Sequence, residues 1–123
     1  MSFEKSVIKE LSKIFPDLKE RLLNIHDNMH DLMIPFQSKH YYCKEMEGSY
    51  SIKKVLTALF PNNPDLDYNS LQGIHNGREA MNVFAELQHQ NPENIAEIRE
   101  ALLRYCRLDT LAMVKIYEKL CSI

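Results

Sequence analysis

Residues 93–121 carry a helical pattern almost without interruption, close to a quarter of a 123-residue chain. Its apolar seam runs through Ile95, Ile98, Leu102, Tyr105, Asp109, Ala112, Ile116 and Leu120, in steps of three or four. That spacing marks one face of a helix. A chain built around such a segment is expected to be mainly α. Glycine usage points the same way. The chain has 3 glycines, isolated at 48, 73 and 77, where an average chain of this length has about 7% glycine. Isolated glycines cannot build a phosphate-cradling loop, and they leave few positions for tight hairpins, which argues against an all-β fold. Hydrophobic residues at 45% and charged residues at 26% are ordinary globular proportions. The length suits one domain, or a part of one, spanning 1–123.

The remaining segments read as shorter helices. Phe3, Val7, Leu11 and Ile14 place an apolar face on residues 3–15. Pro16 ends that helix and can open the next, over 17–27. DLMIPF (31–36) is short and apolar with an internal proline, so a strand, a helical turn or an extended segment all fit. Residues 40–50 read as a loop ending at Gly48. Ser49 or Ser51 can cap a helix carrying Ile52, Val55, Leu56 and Leu59. Residues 61–77, rich in Pro, Asn, Asp and Gly, read as a long surface loop. Residues 78–90 form a further helix, and Asn91-Pro92 separates it from the last.

Asp109 stands in the middle of the long seam. Burying an ionised carboxylate costs several kcal/mol unless it is paired or binds a metal. One explanation is a break near 106–108, after which Asp109 caps a second helix. The other is a functional site, and the two are compatible. Glu4 lies on the margin of the first helix's apolar face. A first-turn Glu also complements the helix dipole, so a structural role accounts for it as well.

The run Tyr105-Cys-Arg-Leu-Asp109, followed by Thr110-Leu-Ala-Met-Val-Lys-Ile, resembles the third motif of 3′–5′ exonucleases with the ribonuclease H-like fold, in the tyrosine subgroup of the DEDD type. Ser2-Phe3-Glu4-Lys5, Asp31-Leu32-Met33, the segment Gly48–Val55, and Leu71 through Ala80 are similar to the bacterial "domain of unknown function 2779" family. The resemblance implies the helical C-terminal part of a ribonuclease H-like α/β domain, with at most a short strand near 31–36. It implies phosphodiester hydrolysis with two Mg²⁺ or Mn²⁺ ions held by four carboxylates. Oxygen ligands suit these hard cations. Under it, Asp109 is a metal ligand, Tyr105 orients the attacking water, and Glu4 takes the second-motif position as a further ligand. The first motif, an Asp-x-Glu pair, has no counterpart upstream of Glu4. The expectation is therefore a C-terminal half that is inactive alone, acting on single-stranded DNA or RNA only when the site is complete.

Charge narrows the partners. Fifteen Lys+Arg against 17 Asp+Glu give −2, which is not the field of a protein that binds duplex DNA through its whole surface. Local contacts remain. Arg104 and Arg107 flank the Tyr105 motif and suit phosphate oxygens, or they lie on a solvated face. Lys53 and Lys54 can line a single-strand groove with Tyr41, Tyr42 and Tyr50 as stacking platforms, or those tyrosines pack in the core. His26, His30, His40 and Cys43 have a spacing compatible with zinc. His near a helix C-terminus also serves the dipole. Three unpaired cysteines and a charged N-terminus without an export signal predict a cytoplasmic protein. No apolar stretch approaches the ~18 residues of a membrane span. The competing function is a noncatalytic helical interaction module that associates with itself through exposed apolar surface.

Overall fold

Four of the five prolines, at 16, 35, 64 and 92, stand at the start of a helical turn. There the missing N–H costs no hydrogen bond and the fixed φ suits the helix. The computed structural model describes residues 2–123. Among them are six α-helices and five short 3-10 turns, with no strand. The chain forms two compact units, Met1–Ile34 and Pro35–Ile123.

The first unit is a helical hairpin. α1 (Ser2–Ile14) packs on α2 (Lys19–Asp27), and Ile8, Leu11, Leu22 and Leu23 are half-buried. Pro16 opens the 3-10 turn between them, and the Leu18 amide donates back to the Phe15 carbonyl at 3.0 Å. α2 ends where Asn28 gives both its amide and its side-chain Nδ2 to the Asn24 carbonyl. Ser12, on the inner side of α1, returns its hydroxyl to the Lys9 carbonyl at 2.7 Å.

The segment 31–36 is not a strand. The Asp31 carboxylate accepts from the Met33 amide at 3.0 Å, which makes a turn. Pro35 then sits in the first turn of α3 (Ile34–Gln37). A side chain that satisfies the backbone locally removes the donor a strand would need.

The second unit is arranged along α6 (Pro92–Cys121), 30 residues long and about 45 Å at the usual rise. It is unbroken. The reading of Asp109 as the cap of a second helix is therefore overturned, because residues 106–108 keep their helical hydrogen bonds and no capping position exists there. α4 (Ile52–Leu59) lies against α6, and Val55 and Leu56 are buried with Leu108, Ala112 and Ile116. Ser51 caps α4 by accepting from the Lys54 amide. The turn before it buries Met46 and is closed by Glu47 and Gly48 at positive φ. There Gly48 meets no steric penalty.

Residues 61–77 are more than a surface loop. Two 3-10 turns, Pro64–Leu66 and Tyr68–Ser70, form a strap across α6 that buries Leu66 and Tyr68. Each turn is started by a side chain: Asn63 accepts from Asp65, and Asp67 accepts from Asn69. The polar residues that signal a loop are spent on these local caps. The residues between them are left free to face inward. α5 (Gly77–Glu86) follows and packs on the N-terminal half of α6.

Candidate functional site

Every residue of the predicted α6 seam is buried or half-buried, Asp109 included. The carboxylate is held by a residue 41 positions earlier. The Tyr68 hydroxyl, on the strap, donates to Asp109 Oδ1 at 2.9 Å. Tyr68 is only 5% exposed, so its hydroxyl needs a partner and finds one. Burial first, and then the neighbouring carboxylate, push the Tyr68 phenol well above the ordinary tyrosine range. It therefore stays a proton donor at every physiological pH.

Tyr105 stands one turn before Asp109. Its ring lies 6.3 Å from that of Tyr68 at an interplanar angle of 58°. Burial, followed by the Asp109 charge, raises its phenol as well. Its hydroxyl lies beside the first residue of α5, since a Cβ on Gly77 would sit 3.6 Å from the oxygen. Lys53 completes the cluster. Its Nζ is 5.0 Å from the Tyr68 ring centroid and also donates to the His75 carbonyl. A cation over a tyrosine face is favourable by about 0.5–2 kcal/mol.

Four side chains from α4, the strap and α6 thus converge. The arrangement presents a carboxylate with one oxygen anchored. The other oxygen has no partner among the described residues, and a tyrosine hydroxyl stands one turn away. Such a pair can address a cation or a hydroxylic group.

Of the residues singled out from sequence, Tyr105, Asp109 and Lys53 come together here. Lys54 does not. It faces another way and pairs with Glu47 at 2.7 Å. Tyr41 packs edge-on against Phe36, with ring centroids 5.9 Å apart, and serves the core, while Tyr42 and Tyr50 are exposed. Arg104 and Arg107 lie on a separate flank of α6. Glu4 belongs to the first unit, exposed in the first turn of α1, where a hydrogen bond from its own backbone amide holds its carboxyl below the usual range. Tyr68 escaped the sequence reading because its segment looked like solvent-exposed loop. The alternation of Leu66 and Tyr68 between two Asx-capped turns was the available signal.

Among the described residues no three His, Cys, Asp or Glu side chains stand together as a metal site. The His26 ring contacts Asp27 at 2.8 Å, and burial keeps the Cys43 thiol protonated above its usual range. The Asp109 cluster supplies a single carboxylate. It does not by itself fit a two-metal centre.

The family described as "Domain of unknown function (DUF2779)" matches residues 1–51. That stretch covers the α1–α2 hairpin, α3 and the turn that buries Met46, and it ends before the Lys53–Tyr68–Tyr105–Asp109 cluster. No curated protein and no solved structure matches the chain. Among the described residues, no helix is long and apolar enough to cross a membrane.

Proposed function

We propose that the chain carries the third-motif helix of a metal-dependent 3′–5′ exonuclease-like domain acting on single-stranded nucleic acid. One observation supports this reading above the rest. The Tyr-x3-Asp pair of α6 is not simply packed away, because Asp109 is half-buried, oriented by Tyr68, and accompanied by the Tyr105 hydroxyl. Mg²⁺ or Mn²⁺ would require further oxygen ligands. An Asp-x-Glu pair, which occurs nowhere in the 123 residues, would come from another polypeptide segment. The chain alone is then a poor nuclease or none.

Paramagnetic broadening by Mn²⁺ tests the reading on the chain itself. Amides around Tyr105–Thr110 should broaden in the wild type, and Asp109→Asn should abolish the effect. Broadening that persists in Asp109→Asn, or that never reaches this segment, removes Asp109 as a ligand.

A noncatalytic, self-associating helical module is the second reading, favoured by a different observation. The outer face of α5 leaves Met81 75% and Phe84 68% exposed, and Leu103, Met113 and Tyr117 are exposed along α6. Apolar surface of this kind drives association. Light scattering should then show a dimer that Phe84→Glu converts to monomer. A monomeric wild type eliminates this reading.

A further inference from the structure

The strap leaves an open groove of about 490 Å³ on the flank of α6 away from Asp109. Its floor is aliphatic: Leu71 from the strap, with Leu108 and Leu111 from the helix. Arg104 and Arg107 form one rim, and Asp65 and Ser70 form the other. We infer that this groove binds a small phosphomonoester carrying a hydroxylated ring, of the nucleoside monophosphate class. The inference goes beyond the exonuclease reading, since none of these residues belongs to the Asp109 cluster.

The two guanidinium groups lie three residues apart on one helix, and such side chains are neighbours about 5–6 Å apart at Cβ. They can therefore grip one phosphate from two sides, in the bidentate manner that suits arginine. Arg107 has no ion-pair partner among the described residues. The Arg104 Nε contacts Glu100 at 3.3 Å, but both side chains are more than half exposed. An exposed pair of this kind is worth about 0–1 kcal/mol and yields readily to a dianion. Across the groove the Asp65 carboxylate repels a phosphate and accepts hydrogen bonds from hydroxyl groups. The Ser70 hydroxyl already donates to the Asp67 carbonyl at 2.6 Å, so toward a ligand its oxygen is left to act as an acceptor. The two rims thus fix the ligand's polarity, with phosphate toward α6 and hydroxyls toward the strap. The leucine floor takes the apolar face of the ring between them. The volume falls in the range of small-molecule sites, about 300–1,000 Å³. That suits one such molecule rather than a long segment.

Calorimetric titration of the full chain with AMP, adenosine, ribose 5-phosphate and inorganic phosphate tests this. AMP should bind saturably. The double variant Arg104→Gln/Arg107→Gln should weaken it at least tenfold with an unchanged melting temperature, because both side chains are exposed. Asp109→Asn should leave AMP affinity unchanged, so failure here and failure of the exonuclease reading are separable. Ribose 5-phosphate binding as well as AMP would support the phosphomonoester class and assign the floor to the sugar. Adenosine or inorganic phosphate binding as tightly as AMP, an AMP affinity indifferent to both arginines, or no saturable AMP binding would each overturn the proposal.

Discussion

The Tyr68 hydroxyl and the Asp109 carboxylate are joined by a hydrogen bond of 2.9 Å that ties the strap to the middle of α6. A hydrogen bond to a charged group contributes about 1.5–3 kcal/mol when shielded, and leaving one partner buried and alone costs a similar amount. Asp109 is only half-buried, so the lower end applies. Tyr68→Phe should reduce unfolding free energy by about 1–2 kcal/mol in urea. Asp109→Leu should also destabilise, because it orphans the Tyr68 hydroxyl. The double variant Tyr68→Phe/Asp109→Leu should recover most of the loss, since two apolar partners leave nothing unsatisfied. Strictly additive losses would show that the two side chains are not coupled.

Alkaline pH reads the same cluster. Tyr68 and Tyr105 are raised first by burial and then by Asp109, and Tyr117 is raised first by its hydrogen bond with Cys121. A raised phenol is protonated in the folded state at pH values where the unfolded chain has begun to ionise, from about 10 upward. Its contribution is therefore complete below that pH and is lost as pH rises through the folded-state value. Tyrosinate absorbance of the 6 tyrosines at pH 10.5 should be clearly lower in native protein than in the same protein unfolded in urea. Stability should fall steadily above pH 10. A native titration superimposable on the unfolded one would refute the buried placement of Tyr68 and Tyr105.

The seam of α6 was legible because a 3.6-residue period survives whatever packs on it, and the seam residues are all at least half-buried. Asp109 stood out for the same reason, as a polar residue where the period asks for an apolar one. What satisfies it was hidden. Tyr68 comes from a stretch whose Asn63 and Asp67 signal loop, and composition cannot say that those side chains cap two turns that aim Leu66 and Tyr68 inward. The separation of Lys53 from Lys54 was likewise invisible. Adjacent helical residues face about 100° apart, so one reaches the Tyr68 ring while the other reaches Glu47. The strand option at 31–36 failed because an Asp31 turn outranked the apolar pattern. In each case the deciding contact was either very local or far away in sequence, and periodicity reports neither.

The start of α5 is over-determined, and this can be measured. Asn76 accepts from the Glu79 amide at 3.0 Å, while the Glu79 carboxylate takes the His75 amide at 2.8 Å and the Asn76 side chain at 2.7 Å. This is a reciprocal cap. Asn76→Ala should cost about 1 kcal/mol. The His75 amide holds the Glu79 carboxyl below its ordinary value. The Glu79 contribution is thus present above the unfolded carboxylate range and fades as pH drops through the lowered folded-state value. Glu79→Gln should flatten the acid limb of the stability profile, and the stability it loses at pH 7 should match the part of the limb that disappears. An identical acid limb in wild type and variant would deny Glu79 that role.

Ala112 tests how tightly α4 and the strap close on the long helix. It has 0% exposure within the cluster formed by Val55, Leu56, Leu66, Leu108 and Ile116. Every neighbour there is already apolar, so added methylenes find no space and force rotamers or backbone to move. Ala112→Leu should therefore cost about 1–3 kcal/mol, even though Leu is a good helix former and improves the apolar pattern on paper. Met113, the next residue, is 44% exposed, and Met113→Leu should change stability by no more than about 0.5 kcal/mol. Urea midpoints of the two variants give the comparison. If Ala112→Leu matched or exceeded wild-type stability, the α4–α6 interface would hold a void at that position, and the Tyr68–Asp109 bond would have to carry more of the strap's attachment than the close packing described here allows.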